Sequence, residues 1–318
     1  MQNPSVPDQT ETRSDRHETV VVIGNFDGVH RGHRELLAHA QAQAPDLRLV
    51  AVTFWPHPQA VIHPGSEPEL LTGLDDRIRL LKQAGAAEVR VVSFTRDVMG
   101  WSPEQFVDNV LTPLNPRVVV VGTNFTFGSR ASGTVETLAE LGGRPGGCGF
   151  AVEPLPLVTT EEQITCSSLI RTAISSGDVE GAIEHLGRPH RYVGTVVMGH
   201  QRGRELGFPT ANLPVEHGHL APADGVYAGW LTRLDEPAAE PLPAAISVGT
   251  NPTFDDVPNR VVEAYVLDRD DLELYGVRVA VEFVARLRGN VKFTGLDTLI
   301  EQIKADVVKT RQVLGLPA

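Results

Sequence analysis

The chain has 318 residues, 41% hydrophobic and 21% charged residues, and a formal net charge of -12, which favours two globular domains and excludes a disordered or fibrous protein. No apolar run approaches the roughly 18 to 20 residues that span a bilayer, so a membrane-spanning helix is not expected. The negative charge argues against broad nucleic-acid binding, which needs a basic face, but a small phosphorylated ligand needs only a few local donors.

The N-terminal segment is polar and lacks the apolar core of a secretory signal, so residues 1–18 are predicted to form a disordered tail. The two cysteines, Cys148 and Cys166, are too few for a disulfide framework and favour a reducing, cytoplasmic setting. The sequence does not indicate an oligomeric state.

The first half of the chain, 19–186, alternates strand-like and helix-like segments. β-branched apolar runs predict strands at 19–23, 48–54, 89–94 and 118–121, and the segments between them predict helices at 34–44, at 74–83 and from Ser102. Alternating units of this kind indicate a parallel sheet covered by helices, in a doubly wound, Rossmann-like α/β domain. The glycine-rich run at 141–150 predicts a flexible loop inside it.

The second half has a different pattern, with short strands separated by Gly, Pro and Asp turns. The predicted strands are 192–197, 225–231, 244–248, 261–267 and 277–287, a pattern typical of an antiparallel barrel or sandwich. Segment 296–314 has apolar residues spaced among charges and predicts an amphipathic C-terminal helix. A boundary near Gly187 follows, giving domains 19–186 and 187–318.

The stretch "IGNFDGVHRGH", 23–33, falls where the first strand turns into the first helix. Open parallel sheets bind ligands at the carboxyl ends of their strands, and helix N-termini there favour anions. Glycines let a phosphate approach the backbone, and His30 and His33 both offer hydrogen-bond donors. The alternative is that Gly28 and Gly32 only make the turn and the histidines are solvated.

Three further stretches are expected to fall at the ends of later strands: "TFWPHP" at 53–58, "GTNFTFG" at 122–128 and "CSSLIR" at 166–171. Each alone has an ordinary explanation, as a stiff loop, a turn with core aromatics or a helix N-cap. Together they place His, Asn, Ser and Arg side chains on one rim of the sheet, which is what binding a triphosphate requires.

In this order the motifs GxFDGxHxGH, TFxPHP and NFxFG, with a Ser-rich segment ending in Arg, resemble the nucleotidyltransferase module of bacterial FAD synthetases. These are bifunctional riboflavin kinases and FMN adenylyltransferases. Two positions depart from the family pattern: Trp55 stands where the family often has Asp, and Cys166 where it usually has Ser.

The resemblance implies a role for each matching residue of the first domain. His30 and His33 would bind ATP phosphates, Asn124 would hold phosphate near the reacting centre, and Ser167, Ser168 and Arg171 would clamp the triphosphate. The remaining implied binding residues are those of the glycine loop and of the flavin-receiving loop: Gly24, Asn25, Phe26, Asp27, Gly28, Pro56, His57 and Pro58.

The second half opens with "MGHQRGRELGFPTANL", 198–213. Thr210 and Asn212 alternate along a short extended segment, so both side chains point the same way. A hydroxyl and an amide oxygen are hard ligands of the kind that Mg²⁺ accepts beside ATP oxygens. The alternative is a glycine-rich surface loop followed by an edge strand.

Later stretches, "PADGVYAG", "AISVGTNPTF" and "VEAYVLD", follow the order of the riboflavin kinase module, so that the resemblance covers about 20–314. It implies a small β-barrel kinase domain in which Thr210 and Asn212 organise Mg²⁺ and ATP. It also implies that Glu263 is the base for the ribityl 5′-hydroxyl, although a strand carboxylate is ordinarily only a solvated side chain. The other implied binding residues of this domain are Gly199, Arg202, Gly203 and Asn251.

The predicted function is therefore phosphorylation of riboflavin to FMN and adenylylation of FMN to FAD, with Mg²⁺ as cofactor and riboflavin, FMN and ATP as small-molecule partners. Neither a nucleic acid nor a membrane is expected as a partner. One alternative is a kinase whose first domain only binds flavin, which Trp55 and Cys166 would favour. Another is a flavin-binding regulatory or storage protein with neither activity, which would have no need of two triphosphate sites.

Overall fold

The structure is a computed structural model that describes residues 17–145, 147, 149–156, 159–160, 163–199, 206–236, 238–251, 259–293 and 295–317. These residues fall into two compact units. One is drawn from Met1–Pro68 and Leu74–Thr159, and the other from Glu69–Gly73 and Thr160–Ala318. The predicted tail, 1–18, lies outside the described residues except for its last two.

The first unit is built on a five-stranded parallel sheet in the order β3-β2-β1-β4-β5. Its strands are β1 (Thr19–Ile23), β2 (Arg48–Trp55), β3 (Glu88–Ser93), β4 (Pro116–Gly122) and β5 (Ala151–Leu155). Every residue of β1 is buried, because helices cover both faces of a sheet of this kind. The predicted doubly wound α/β fold is confirmed, and its strand order reverses between β1 and β4.

In the part of this unit that the structure describes there are six α-helices: α1 (Arg31–Gln43), α2 (Pro58–Ile62), α3 (Leu74–Gln83), α4 (Arg96–Met99), α5 (Pro103–Phe106) and α6 (Val135–Gly143). The predicted helix start at Ser102 is confirmed, because its hydroxyl accepts a hydrogen bond from the Gln105 N–H while the Gln105 side chain accepts one from the Ser102 N–H. The sequence did not predict α6, which extends into the run expected to be a loop. A Cβ on Gly142 would lie 2.5 Å from the Phe150 carbonyl oxygen, so glycine allows a close approach there.

The second unit contains a six-stranded antiparallel sheet in the order β8-β13-β10-β11-β12-β9. After the two short strands β6 (Thr159–Thr160) and β7 (Gln163–Ile164) come β8 (His190–Thr195), β9 (Thr210–Pro214), β10 (Gly225–Arg233), β11 (Leu242–Asn251), β12 (Asn259–Val266) and β13 (Arg278–Arg288). The edge strands approach one another, since the Tyr192 hydroxyl of β8 donates to the Pro214 carbonyl of β9 at 2.8 Å. The sheet therefore curls into a half-barrel, which confirms the predicted antiparallel β-barrel class.

The described residues of the second unit include the helices α7 (Ser167–Ser176), α8 (Val179–Leu186) and α9 (Leu296–Val313). The predicted C-terminal helix is confirmed as α9, which packs on β10, β11 and β13. Asp306 of α9 is buried and its carboxylate accepts from the Arg288 guanidinium at 2.7 Å. Among the described residues no helix is long and apolar enough to cross a membrane.

Helices α7 and α8 pack with the curled sheet. The Ala223 N–H donates to the Ile174 carbonyl at 3.2 Å, and the Arg286 guanidinium donates to the Ser176 carbonyl at 3.1 Å. By packing, then, the second unit begins near Thr160, whereas the motifs place a domain boundary near Gly187. The motif boundary stays a prediction.

Candidate functional site

Three of the four motif stretches of the first half follow adjacent strands of the parallel sheet. The loop at 24–30 follows β1, the "TFWPHP" stretch ends β2, and Asn124 lies in the turn after β4. Because β2, β1 and β4 are neighbours, their carboxyl ends share one edge, at the point where the strand order reverses. Open α/β sheets bind ligands at such a switch point.

The loop at 24–30 has an unusual backbone. Phe26, Gly28 and Val29 all lie in the left-handed region, at φ values of 50°, 84° and 39°. For residues other than glycine this conformation costs on the order of 1–3 kcal/mol each and persists where surrounding contacts impose it, often at functional sites. Here Phe26 is fully buried, and the Asn25 carbonyl accepts a 3.0 Å hydrogen bond from the Thr53 hydroxyl of β2.

His30 and His33 lie together at the start of α1. His30 is its N-cap, because its Nδ1 accepts from the His33 backbone N–H at 3.4 Å. A neutral His30 ring therefore carries its proton on Nε2. The two rings stack with centroids 3.6 Å apart, a distance at which two cationic rings would repel each other, so the arrangement favours at least one neutral imidazole.

The surroundings of His33 favour its neutral form. Burial holds the pKa of His33 well below 6.5, and the charges of His30 and Arg77 lower it further. Its Nδ1 is buried and has no hydrogen-bond partner among the described residues, although part of the side chain remains open to solvent. The pair thus places imidazole N–H groups at a helix N-terminus, a setting that favours a phosphate ligand.

The "TFWPHP" stretch is a well-anchored loop. His57 is 8% exposed and caps α2, its Nδ1 accepting from the Gln59 N–H at 3.2 Å, while Pro58 is the first residue of that helix. Pro56 is exposed. His57 thus has a structural task that the sequence did not reveal, and its contribution to flavin binding stays a prediction.

Asn124 is exposed in the turn that follows β4. Phe125 and Phe127, on either side of Thr126, stack with ring centroids 5.5 Å apart, and Phe127 packs against Phe106 at 5.3 Å. These aromatic rings anchor the turn, so that Asn124 projects from a rigid support at the switch point.

The fourth stretch belongs to the second compact unit. Ser167 and Ser168 open α7, and the Nε of Arg171 donates to the Glu69 carbonyl at 2.8 Å. Cys166 is exposed and is the N-cap of α7, but its side chain makes no capping hydrogen bond. The predicted meeting of Ser167, Ser168 and Arg171 with the ATP phosphates stays a prediction.

In the second unit, Asn212 of β9 lies directly opposite Glu263 of β12, and Thr210 lies opposite Tyr265. Directly opposed residues of antiparallel strands share one face. Here the alternating neighbours Ala211, Val262 and Ala264 are buried in the core, so Thr210, Asn212 and Glu263 lie on the outer face, where all three are half-buried. The structure brings the three predicted kinase residues together.

Gly199 lies against the Asn212 side chain. A Cβ built on Gly199 would lie 2.7 Å from the Cγ, Nδ2 and Oδ1 atoms of Asn212. Glycine therefore lets the incoming segment touch the predicted metal ligand. Arg202 and Gly203 lie outside the described residues, and Asn251 is described only as the last residue of β11.

Sequence reasoning missed two residues beside these sites. Ser247 of β11 lies directly opposite Glu263. The sequence could have indicated it as the one polar residue of the predicted strand 244–248. Arg77 of α3 is fully buried and donates to Asp27 at 3.4 Å. Its signal was an arginine in line with Leu80 and Leu81 on the apolar face of that helix.

Comparisons with known proteins cover nearly the whole chain. A family model described as FAD synthetase matches residues 12–169, and one described as riboflavin kinase matches residues 186–314. A bifunctional riboflavin kinase/FMN adenylyltransferase from Bacillus subtilis is 36% identical over 92% of both chains. One with the same description from Escherichia coli is 32% identical over 93% of both chains.

A crystal structure from Streptococcus pneumoniae, described as a macrolide-efflux protein, is 33% identical, covers 94% of this chain and 96% of its own, and has a TM-score of 0.81. Its architecture thus agrees with the two units described above. The two family models and the full-length relatives confirm the resemblance carried by the motifs. The chain belongs to the family of bifunctional riboflavin kinases and FMN adenylyltransferases.

Proposed function

We propose that this protein transfers the γ-phosphoryl group of ATP to riboflavin, giving FMN and ADP, and then transfers the adenylyl group of a second ATP to FMN, giving FAD and pyrophosphate. One observation carries the proposal. Each compact unit holds a group of residues with its own chemistry: a histidine pair at a helix N-terminus in the first, and a strand carboxylate opposite an amide in the second.

The second unit suits the kinase step. The nucleophile is an alcohol with a high pKa, so a positioned base is useful, and such help is typically about 10² to 10⁴-fold. Glu263 is the proposed base, which accepts the proton of the ribityl 5′-hydroxyl as its oxygen attacks the γ-phosphorus. The bond from that phosphorus to the bridging oxygen breaks, and ADP leaves.

Thr210 and Asn212 are the proposed holders of Mg²⁺. The Asn212 Nδ2 donates to the Thr210 carbonyl at 3.1 Å and to the Thr210 hydroxyl at 3.4 Å, so the two side chains adjoin. The Asn212 Oδ1 and the Thr210 hydroxyl are the two hard oxygens that they can supply. The donor set fits the metal. When bound, Mg²⁺ would neutralise charge on the ATP phosphates.

The first unit suits the adenylylation step, because the FMN phosphate is already an anion and needs no base. Its oxygen attacks the α-phosphorus of ATP, and pyrophosphate leaves, so that positioning and charge stabilisation carry the reaction. His30 and His33 are the proposed donors to the phosphates, and Asn124 the proposed amide donor near the reacting centre. The carboxylate of Asp27, in the glycine loop, forms an ion pair with the Arg77 guanidinium.

Ser167, Ser168 and Arg171 are proposed to clamp the triphosphate, since hydroxyls and a guanidinium are its matching donors. The residues of the glycine loop, Gly24 to Gly28, are proposed to form its backbone cradle, and those at 56–58 to receive the flavin. For the kinase step, Gly199, Arg202, Gly203 and Asn251 are the proposed binding residues.

The test is incubation of the purified protein with riboflavin, ATP and Mg²⁺, followed by chromatographic separation of riboflavin, FMN and FAD. Both products should form in the wild type. Glu263→Gln should slow FMN formation by about 10² to 10⁴-fold and leave adenylylation of supplied FMN intact. The double variant His30→Ala/His33→Ala should show the reverse.

Other outcomes distinguish the alternatives. FMN without FAD would identify a kinase whose first unit only binds flavin, and neither product would identify a flavin-binding protein. If both variants of the folded protein lost both activities equally, the assignment of the histidine pair to adenylylation and of Glu263 to the kinase step would be wrong.

A further inference from the structure

Arg77 is an arginine in a core position. Its side chain is 0% exposed and is the largest fully buried side chain of the described residues. On α3 it lines up with the buried Leu80 and Leu81, where an apolar residue would be expected. Stability alone does not account for such a residue, because replacing a buried ion pair with apolar side chains of similar size is often neutral or stabilising.

The contacts of Arg77 join two of the motif stretches. One terminal nitrogen donates to the Asp27 carboxylate at 3.4 Å, within the loop at 24–30. The other donates to the Phe54 carbonyl at 3.3 Å, near the end of β2. The guanidinium carbon also lies 5.5 Å from the centroid of the Trp55 ring, the residue that departs from the family pattern.

The loop that Arg77 holds is the strained one. Asp27 lies between Phe26 and Gly28, both with left-handed backbone, and Val29 follows. A β-branched residue at positive φ persists only where the surroundings impose it. The Asp27 contact fixes the middle of this turn, immediately before the two histidines, while the Phe54 and Trp55 contacts fix the stretch that leads into Pro56.

We propose that Arg77 is a positioning residue for adenylyl transfer: it locks the loop at 24–30 against the end of β2, so that the histidine pair and the 56–58 loop are presented in one fixed arrangement. This inference rests on the proposed adenylylation. Arg77 touches neither substrate. Its charge also lies close enough to help keep His33 neutral.

The decisive variant is Asp27→Asn/Arg77→Met, which leaves no buried charge and should fold with a melting temperature at or above that of the wild type. If Arg77 positions the loop, kcat for FAD formation should fall about 10²-fold, as expected for a misplacement of about 1 Å. The KM for ATP should change by less than about threefold, because the loss lies in the transition state.

Two further variants sharpen the test. Arg77→Lys keeps the charge but offers a single point donor, so it should retain about tenfold more activity than Arg77→Met. Arg79→Met is the matched control, since Arg79 is on the same helix but 41% exposed and pairs with Asp76; its kcat should equal that of the wild type.

The outcomes separate the inference from the proposed function. Wild-type protein that makes no FAD from FMN and ATP would overturn the adenylylation on which the inference depends. Wild-type protein that makes FAD, together with a folded Asp27→Asn/Arg77→Met protein whose kcat is within about twofold of it, would overturn the positioning role alone.

Discussion

Replacing Gly199 with alanine should damage the kinase reaction selectively. The new Cβ would lie 2.7 Å from three atoms of the Asn212 side chain, whereas ordinary van der Waals contact begins at 3.4 Å. The Gly199 backbone itself accepts alanine, because its φ lies outside the left-handed region. The cost therefore falls on Asn212, whose amide is held by its hydrogen bond to the Thr210 carbonyl.

The magnitude follows from the overlap. The amide must retreat by about 0.7 Å, and displacements of about 1 Å at a positioning group cost on the order of 10² in rate. We expect kcat/KM for FMN formation at limiting Mg²⁺ and ATP to fall by about 10²-fold, while adenylylation of supplied FMN in the same preparation is unchanged.

The assay is the chromatographic separation of flavins from parallel reactions started with riboflavin or with FMN. Gly289→Ala is the control, because it lies in the same unit, has no atom within 4 Å of a new Cβ and has a backbone open to alanine. FMN formation by the Gly199 variant at the same rate as by this control would refute the argument that the close approach to Asn212 matters.

Four further predictions concern stability and access. A fragment starting at Thr160 should resist urea better than one starting at Gly187, because it keeps buried apolar side chains of α8, each worth about 1.5–3 kcal/mol. Asp306→Ala should lower the free energy of unfolding by about 1.5–3 kcal/mol, measured by urea denaturation, because it removes the buried carboxylate that accepts hydrogen bonds from the half-buried Arg288 guanidinium. Cys166→Ser should raise the free energy of unfolding by about 1 kcal/mol, because the serine hydroxyl can make the N-cap hydrogen bond that the cysteine does not make. If the segment 166–171 contacts ATP, bound nucleotide should also slow alkylation of the wild-type thiol. The pKa of His33 is lowered in the folded protein, so below pH 6.5 the unfolded chain binds the proton first. The free energy of unfolding should therefore fall with falling pH by up to about 1.4 kcal/mol per pH unit. His33→Gln should make this fall shallower, as measured by urea denaturation at several pH values.

The sequence predicted four of the five strands of the parallel sheet because they are β-branched runs, a pattern that can be recognised locally. It missed β5, whose sequence AVEPL contains a single β-branched residue. It placed the start of α1 three residues late. The helix begins at Arg31 because His30 caps it with a ring nitrogen, a task that capping preferences assign to Ser, Thr, Asp and Asn. Similarly, α6 was missed because glycines at its end look like a loop, although Gly142 is there to let Phe150 approach.

The motif order predicted a set of residues for each site, and the strand register places Thr210, Asn212 and Glu263 on one face of the sheet. The motifs could not predict the buried contacts that hold the site loops in place. The contact of Arg77 with Asp27 joins residues fifty positions apart, and no local pattern reports a partner at that distance. A charge on an apolar helix face signals that a partner exists without identifying it.

The short segment Glu69–Gly73 shows why packing and motif boundaries differ. It belongs to the second unit, where the Leu70 N–H donates to the Gly218 carbonyl at 2.7 Å and Leu71 is buried in one cluster with Ile170 of α7. The local sequence does not predict that this segment packs with the second unit, because five residues are too few to show a hydrophobic periodicity. The motifs predict a boundary near Gly187, whereas buried contacts mark the residues that should unfold together. A cooperative unit of this protein is therefore expected to include chain that the motif boundary assigns to the preceding domain.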